Sequence, residues 1–230
     1  MAVRRILHAP APRDPAALAA RIERAEAEQL ARTGAPGVAG ALAIAGGLAV
    51  SKGPRSPSSS GFGLGLRGPV TREDLDRVEA HLGALGGDVR IELCAHADPS
   101  LAAELGRRRY RVERFLLVLL RALGPLTGAP GARPARAQVR EIAPGEERAF
   151  ADAFALAHLG RVPAPDAPAA EDLLAIPRAE GSACFAAVDG GSFVAVAVAS
   201  EHAGVAVLSG AGVLPAWRGR GLQLGLVQAR

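Results

Sequence analysis

Aromatic, cysteine and lysine residues are scarce in this chain of 230 residues. Aromatic side chains make up 3% of the sequence, which leaves few platforms for stacking the bases of single strands. The two cysteines, Cys94 and Cys184, are far apart, which argues against a disulfide framework and for a reducing compartment. Lys52 is the only lysine, so the basic character of the chain comes from arginine.

Long apolar runs are also absent. The most apolar segments, 37–50 and 115–123, are shorter than a membrane span, and the first residues have no stretch long enough for a signal peptide. The 27 basic residues are dispersed among 23 acidic ones, which is unlike the basic patch of a nucleic-acid-binding protein. We therefore expect a cytoplasmic protein with neither a membrane nor a nucleic-acid partner.

Hydrophobic residues make up 49% of the chain, enough for a packed core. In the first half, caps and apolar spacing predict helices that begin at Asp14, Thr71 and Asp98. Strands are predicted within 37–53, at 89–95 and at 110–123, the first of these regions with a turn at Gly46–Gly47. Residues 124–137, rich in glycine and proline, predict a linker between domains 1–123 and 138–230.

The second half has a regular order of predicted elements. A strand at 139–142 precedes helices within 145–160 and 170–176, and residues 183–214 form three strands with turns at 189–191 and near Gly204. We expect an α/β (α+β) fold with largely antiparallel sheets.

The stretch "GVLPAWRGRGLQLGLVQAR", residues 212–230, joins the last of these strands to a helix that begins near Gly221. The first amides of a helix have no internal acceptor, and the helix dipole favours anions there. Gly219 and Gly221 let the backbone approach a ligand closely, while Arg218 and Arg220 add positive charge. The pattern predicts a cradle for a pyrophosphate.

This stretch resembles the Q/R-x-x-G-x-G/A turn of the GNAT superfamily of acyl-CoA-dependent N-acyltransferases. Arg218 matches the first position and Gly221 the central glycine, while Gln223 stands where the last small residue is usual. The order of strand, helix, helix and three strands before the turn is also that of the family. The resemblance implies transfer of an acetyl group from acetyl-CoA to a small-molecule or peptide amine. It implies coenzyme A contacts from Gly212, Val213, Leu214, Arg218, Gly219, Arg220, Gly221, Leu222, Gln223 and Leu224.

The first half resembles, more faintly, the N-terminal segment of two-module members of the same superfamily. The resemblance rests on "GLGLRGPVTREDLDRVEAHL", "IELCAHADPSLAAELGRRRYRV" and "LLVLLRAL", with Arg109–Tyr110 replacing a glycine–aromatic pair at a helix-to-strand junction. It implies tandem GNAT-like modules, of which the first is degenerate. That half has no R-x-x-G-x-G turn after a strand, so no coenzyme A site is expected in it.

The catalytic residues are not identified by any motif. Glu201 or His202 is a candidate proton relay, and the resemblance implies that the thiolate acid is a tyrosine on a later helix, whereas Tyr110 is the only tyrosine. Because the chain stops inside its last predicted helix, we expect the second module to be incomplete. The alternative function is therefore a catalytically silent coenzyme A-binding or interaction fragment that self-associates through the strand edge at 204–214.

Two further signals are weaker. Gly63, Gly65 and Gly68 spell G-x-G-x-x-G, but a serine-rich loop precedes them and Pro69 separates them from the next helix, unlike a dinucleotide site. Cys94 and His96 lack a second ligand pair, so no metal site is predicted.

Overall fold

The computed structural model describes residues 14–33, 40–54, 56, 58–121, 137–202 and 204–230. Their contacts divide them into two compact units. The first contains 14–31, 40–121 and 204–205, and the second contains 32–33, 137–202 and 206–230. The predicted linker lies outside the described residues except for Ala137, so the domain limits 1–123 and 138–230 stay a prediction.

The first unit opens with helix α1, Pro15–Arg32, whose start is capped by the Asp14 carboxylate. Strands β1, Gly40–Ile44, and β2, Gly47–Ser51, form an antiparallel hairpin. Ala45 and Gly46, both with positive φ, make the turn, one residue before the predicted position. Strand β3, Ser60–Phe62, pairs antiparallel with β2.

Two capped helices complete the first unit. Helix α2, Arg72–Gly83, begins with a capping box between Thr71 and Asp74, and α3, Pro99–Arg107, begins at Asp98. Their apolar faces pack on the hairpin in one core cluster, and the helix starts predicted from the sequence are confirmed. The buried members are Ile44, Ala49, Leu64, Val70, Leu75, Val78, Leu82, Leu101 and Leu105.

Two strands predicted in the first half are wrong. Residues 89–95 form only one isolated parallel bridge, between Ile91 and Gly61. Residues 110–121 form no strand, because no neighbouring strand among the described residues pairs with their backbone; 122–123 lie outside the description. The helix-to-strand junction that the resemblance implies before them is therefore wrong on its strand side, although Arg109 has φ of 60°, the conformation that a glycine adopts readily.

The second unit is built on a four-stranded sheet of order β4-β5-β6-β7. The strands are β4, Gln138–Glu141, β5, Ser182–Asp189, β6, Ser192–His202, and β7, Val205–Val213. Antiparallel registers join β4 to β5 and β5 to β6. Helices α4, Glu147–Leu159, and α5, Pro168–Arg178, connect β4 to β5, and α6, Leu222–Ala229, follows β7. The order of elements predicted for this half is confirmed.

The two faces of this sheet carry different core clusters. On one face, Phe150 and Ala153 of α4 pack with Val196 and Val198 of β6. On the other face, Leu222 and Leu226 of α6 pack with residues of β5 and β6. The sheet therefore lies between α4 and α6, and α6 is fixed by its two fully buried leucines.

Candidate functional site

The predicted cradle lies at the connection between β7 and α6. The Leu214 amide donates to the Val194 carbonyl at 3.0 Å, so the end of β7 is held on the sheet. A 3₁₀ turn, Pro215–Trp217, follows, and the Trp217 amide donates to the Leu214 carbonyl at 2.8 Å. Because the Leu214 N–H already donates within the sheet, it is not free to donate to a ligand.

Two glycines shape the turn before α6. Gly219 and Gly221 have φ of 74° and 76° on either side of Arg220. A Cβ added to either glycine would meet no other atom within 4 Å. The turn thus leaves open space beside both glycines, where a ligand can approach the backbone closely.

The start of α6 adds unsatisfied donors. Gly221 is the N-cap and no side chain caps it, so the amides of the first turn have no partner within the helix. Leu222 is 2% exposed and anchors the helix on the sheet, whereas Gln223 and Leu224 are exposed. The backbone at the helix start is therefore both rigidly held and open to solvent.

The two arginines of the turn fold back onto its backbone. Arg218 Nε donates to the Val213 carbonyl at 3.2 Å. An Arg220 guanidinium N–H donates to the Ala216 carbonyl at 3.1 Å, and the group lies 4.5 Å from the centre of the Trp217 ring. Among the described residues neither guanidinium is matched with a carboxylate. Their charge is therefore available to an anion in the turn.

The backbone of β7 passes close to α4 before it reaches the turn. Gly210 has φ of 56°, and a Cβ there would lie 2.7 Å from a ring carbon of Phe154. At Gly212 a Cβ would lie 2.7 Å from the Ala157 Cβ. The sequence analysis did not predict that both glycines are needed for this close approach to α4. Glycines at i and i+2 of a hydrophobic strand are the pattern that indicates such an approach.

Arg230 was not identified from the sequence. One of its terminal guanidinium nitrogens donates to the carbonyls of Val198 on β6 and Ser209 on β7, each at 3.1 Å. Burial lowers the pKa of this guanidinium. The side chain ties the end of α6 to two strands, and nothing in the local sequence distinguishes it from the other arginines.

The candidate proton relays lie away from the cradle. Glu201 and His202 end β6, whereas the cradle is joined to β6 at Val194. Seven or eight residues of strand separate the two places, about 25 Å at the rise of an extended chain. The structure does not bring these residues together with the predicted cofactor contacts.

In the glycine-rich turn of the first unit, residues 63–68, the Gly63 and Gly65 amides already have acceptors within the chain. The Gly63 amide donates to the Glu23 carboxylate and the Gly65 amide to the Ala45 carbonyl, each at 3.0 Å. Burial raises the pKa of Glu23 to about 7, with nearby Glu26 and Glu92 acting in the same direction. The helix that follows starts only at Thr71. The glycines therefore do not lie at a helix start, and β3 rather than only a serine-rich loop precedes them.

Other ligand sites have little support within the described ranges. An open groove of about 430 Å³ beside α1 is lined by Arg21, Arg24 and Arg67, but Arg24 is paired with Glu28 at 2.7 Å. Among all the described residues, no group of three or more His, Cys, Asp or Glu side chains is arranged to hold a metal ion. No described helix is long and apolar enough to cross a membrane.

The chain is similar in structure to a GCN5-related N-acetyltransferase from Kribbella flavida. The similarity has a TM-score of 0.58 and 21% sequence identity, and it covers 92% of this chain and 78% of that chain. No protein-family model matches the chain, and no curated protein matches it in sequence. The likeness shows the fold: a mixed α/β architecture with antiparallel sheets, consistent with the fold of GCN5-related N-acetyltransferases.

Proposed function

We propose that this chain is an acyl-CoA-dependent N-acyltransferase that transfers an acetyl group from acetyl-CoA to an amine. The observation that carries the proposal is the turn between β7 and α6. It combines two open glycines of positive φ, an uncapped helix start and two arginines that have no acidic partner among the described residues. A pyrophosphate offers the negative charge and the acceptor oxygens that such a turn requires.

The chemistry of the residues fits coenzyme A at this position. The amides from Gly219 to Leu224 would hold the pyrophosphate, and Arg218 and Arg220 would add charge beside it. Gly212 and Val213, on the strand that leads into the turn, would line the pantetheine arm. This placement of the pantetheine arm is supported by the fold, because β7 leads directly into the cradle.

Acetyl-CoA would supply an activated thioester. The amine nitrogen forms a bond to the acetyl carbon, the carbon–sulfur bond breaks, and the nitrogen loses a proton while the sulfur leaves as a thiolate. The contribution argued for this chain is binding and orientation, because a cofactor fixed at its pyrophosphate loses much of its freedom before the reaction. No described residue is assigned as acid or base.

Calorimetry with coenzyme A and the Gly221→Glu variant tests the binding site. The new carboxylate would enter the space in which the pyrophosphate lies, so we expect affinity to fall by at least about 100-fold from charge repulsion and lost amide contacts. Gly145→Glu is the matched control, because Gly145 also has positive φ, at 92°, and faces open space before α4. Equal affinity in the two variants would overturn the proposed site.

An assay of free thiol release from acetyl-CoA tests the reaction. We expect release that depends on an added amine and that is lost in Gly221→Glu but kept in Gly145→Glu. Binding of coenzyme A without turnover against a panel of small and peptide amines would instead support the alternative of a silent coenzyme A-binding protein.

A further inference from the structure

An extended apolar stretch in the first unit is not covered by other described residues. We call Phe115–Leu120 the apolar segment. Its odd-numbered residues, Phe115, Leu117 and Leu119, are 92–93% exposed, and the even-numbered ones are 52–59% exposed. No strand or helix includes it, so its backbone groups are also free of ladder bonds within the described residues. Six consecutive large apolar side chains in water mark an interaction surface.

The chain just before the apolar segment is firmly attached to its own unit. Tyr110 donates from its hydroxyl to the Glu79 carboxylate at 3.0 Å. Glu113 pairs with Arg90 at 3.1 Å, and Arg114 pairs with Glu92 at 3.6 Å. These contacts hold the residues just before the apolar segment in place on the first unit.

The exposure alternates with a period of two, as in a strand with one face turned fully outward. An isolated strand leaves its N–H and C=O groups unpaired, and such an edge readily adds a second strand. Both faces are apolar and no charged residue interrupts the segment, so none of the usual devices against edge pairing is present in it. A second strand would satisfy the backbone and cover the side chains together.

We propose that the apolar segment pairs antiparallel with the same segment of a second copy of this chain, about a twofold axis at Leu117. In this register Phe115 lies opposite Leu119 of the second copy. Glu113 then lies opposite Arg121, so an opposite-charge pair closes each end of the apolar ladder. Glu113 keeps access to a partner, since its side chain is 61% exposed in its pair with Arg90.

Neighbouring registers lack this charge match. Moving the axis to the midpoint of Leu117 and Val118 sets Arg114 opposite Arg121, a like-charge pair. Moving it to the midpoint of Leu116 and Leu117 sets Val112 opposite Arg121. Glu113 and Arg121 at the two ends of the apolar run are therefore self-complementary, with Arg114 opposite Leu120. This pattern favours a second copy, because a twofold axis brings identical surfaces together.

Sedimentation velocity of the full chain over a wide concentration range tests the proposal. We expect a reversible dimer, and we expect Leu117→Glu to raise its dissociation constant by more than about 100-fold, because two carboxylates would meet at the axis. Leu208→Glu is the matched control: Leu208 is a 46% exposed leucine on β7, the strand edge that the sequence predicted for self-association. Circular dichroism should show all variants folded, since both sites are exposed.

A charge-exchange experiment tests the register. Glu113→Arg and Arg121→Glu each create two like-charge pairs in a dimer, so each alone should weaken it by about tenfold. Mixing the two variants restores opposite charges at both ends, and a heterodimer should form with wild-type affinity. The proposal fails if the wild-type chain stays monomeric at every concentration. It also fails if Leu208→Glu dissociates the dimer and Leu117→Glu does not, or if mixing restores nothing.

Discussion

Each unit contains a turn with several glycines, and the two turns differ in what their amides bind. In the first unit, the Gly63 and Gly65 amides donate to the Glu23 carboxylate and the Ala45 carbonyl. In the second unit, Gly219 and Gly221 lie just before an uncapped helix start and face open space. Glycines alone therefore do not make an anion site; the amides must also lack an internal acceptor.

The packing around the two turns also differs: atoms of the chain lie close to Gly65, whereas the space beside Gly219 is open. A Cβ at Gly65 would lie 3.2 Å from a methyl group of Val70, whereas a Cβ at Gly219 would meet nothing. At Gly65, glycine serves both the positive φ and the close contact with Val70. At Gly219, glycine serves only the backbone conformation, and the space beside it is open.

The largest effect is expected from alanine in the first turn. Gly65→Ala should lower the free energy of unfolding by about 3 kcal/mol, since positive φ costs ~1–2 and crowding against Val70 adds ~1–3 kcal/mol. Gly219→Ala should lose only about 1–2 kcal/mol, from φ alone. Urea denaturation measures both losses, and calorimetry should show the reverse order for coenzyme A affinity. Equal losses of stability would remove the distinction between the turns.

A somewhat smaller effect is expected from Glu23→Gln, which keeps an acceptor for the Gly63 amide without a charge. The pKa of Glu23 is about 7 in the folded chain against 4.5 ordinarily. The folded state therefore holds the proton more tightly, and stability falls as pH rises from 4.5 to about 7. Above that range the variant should be more stable than the wild type by at most about 3 kcal/mol.

Denaturation at pH 5 and pH 8 compares the two proteins. The glutamine variant should lose less stability between these values than the wild type. Parallel losses would mean that Glu23 is not buried as a neutral acid and that the first turn is closed by another contact.

The smallest effect is expected from removing one arginine of the second turn. Arg218→Ala or Arg220→Ala should weaken coenzyme A binding by about fivefold, near 1 kcal/mol, because one charge beside the phosphates is lost. The difference should shrink as salt is added. Arg161→Ala, an exposed arginine of the second unit, is the control. An equal loss in the control would mean that the effect comes from net charge alone.

Much of the second unit could be predicted from local patterns. The helix starts, the three-strand meander and the strand-to-helix turn are short-range features, and all were placed correctly. The resemblance to the GNAT turn also singled out Gly219 and Gly221, whose open space the structure shows. Catalytic groups could not be identified, because no motif carries them and Glu201 and His202 are separated from the cradle by the length of β6.

The errors lie where an element depends on a distant partner. Residues 89–95 and 110–121 have apolar strand-like sequences, but a strand exists only when another strand pairs with it. Just before the second stretch, the resemblance placed Arg109 at a glycine position, and Arg109 has positive φ although no strand follows it among the described residues.

The sequence by itself determined the helices, their caps, the hairpins and the turns at glycines, because these features depend on residues within a few places of one another. Only the tertiary structure decided which glycine turn is open, since Glu23 reaches Gly63 from 40 residues away. It also decided that Arg230 binds carbonyls of two strands and that no other described residues cover the apolar segment. Hydrogen-bond acceptors and packing partners that are distant in sequence leave no local pattern, and they determine which groups remain free to bind something else.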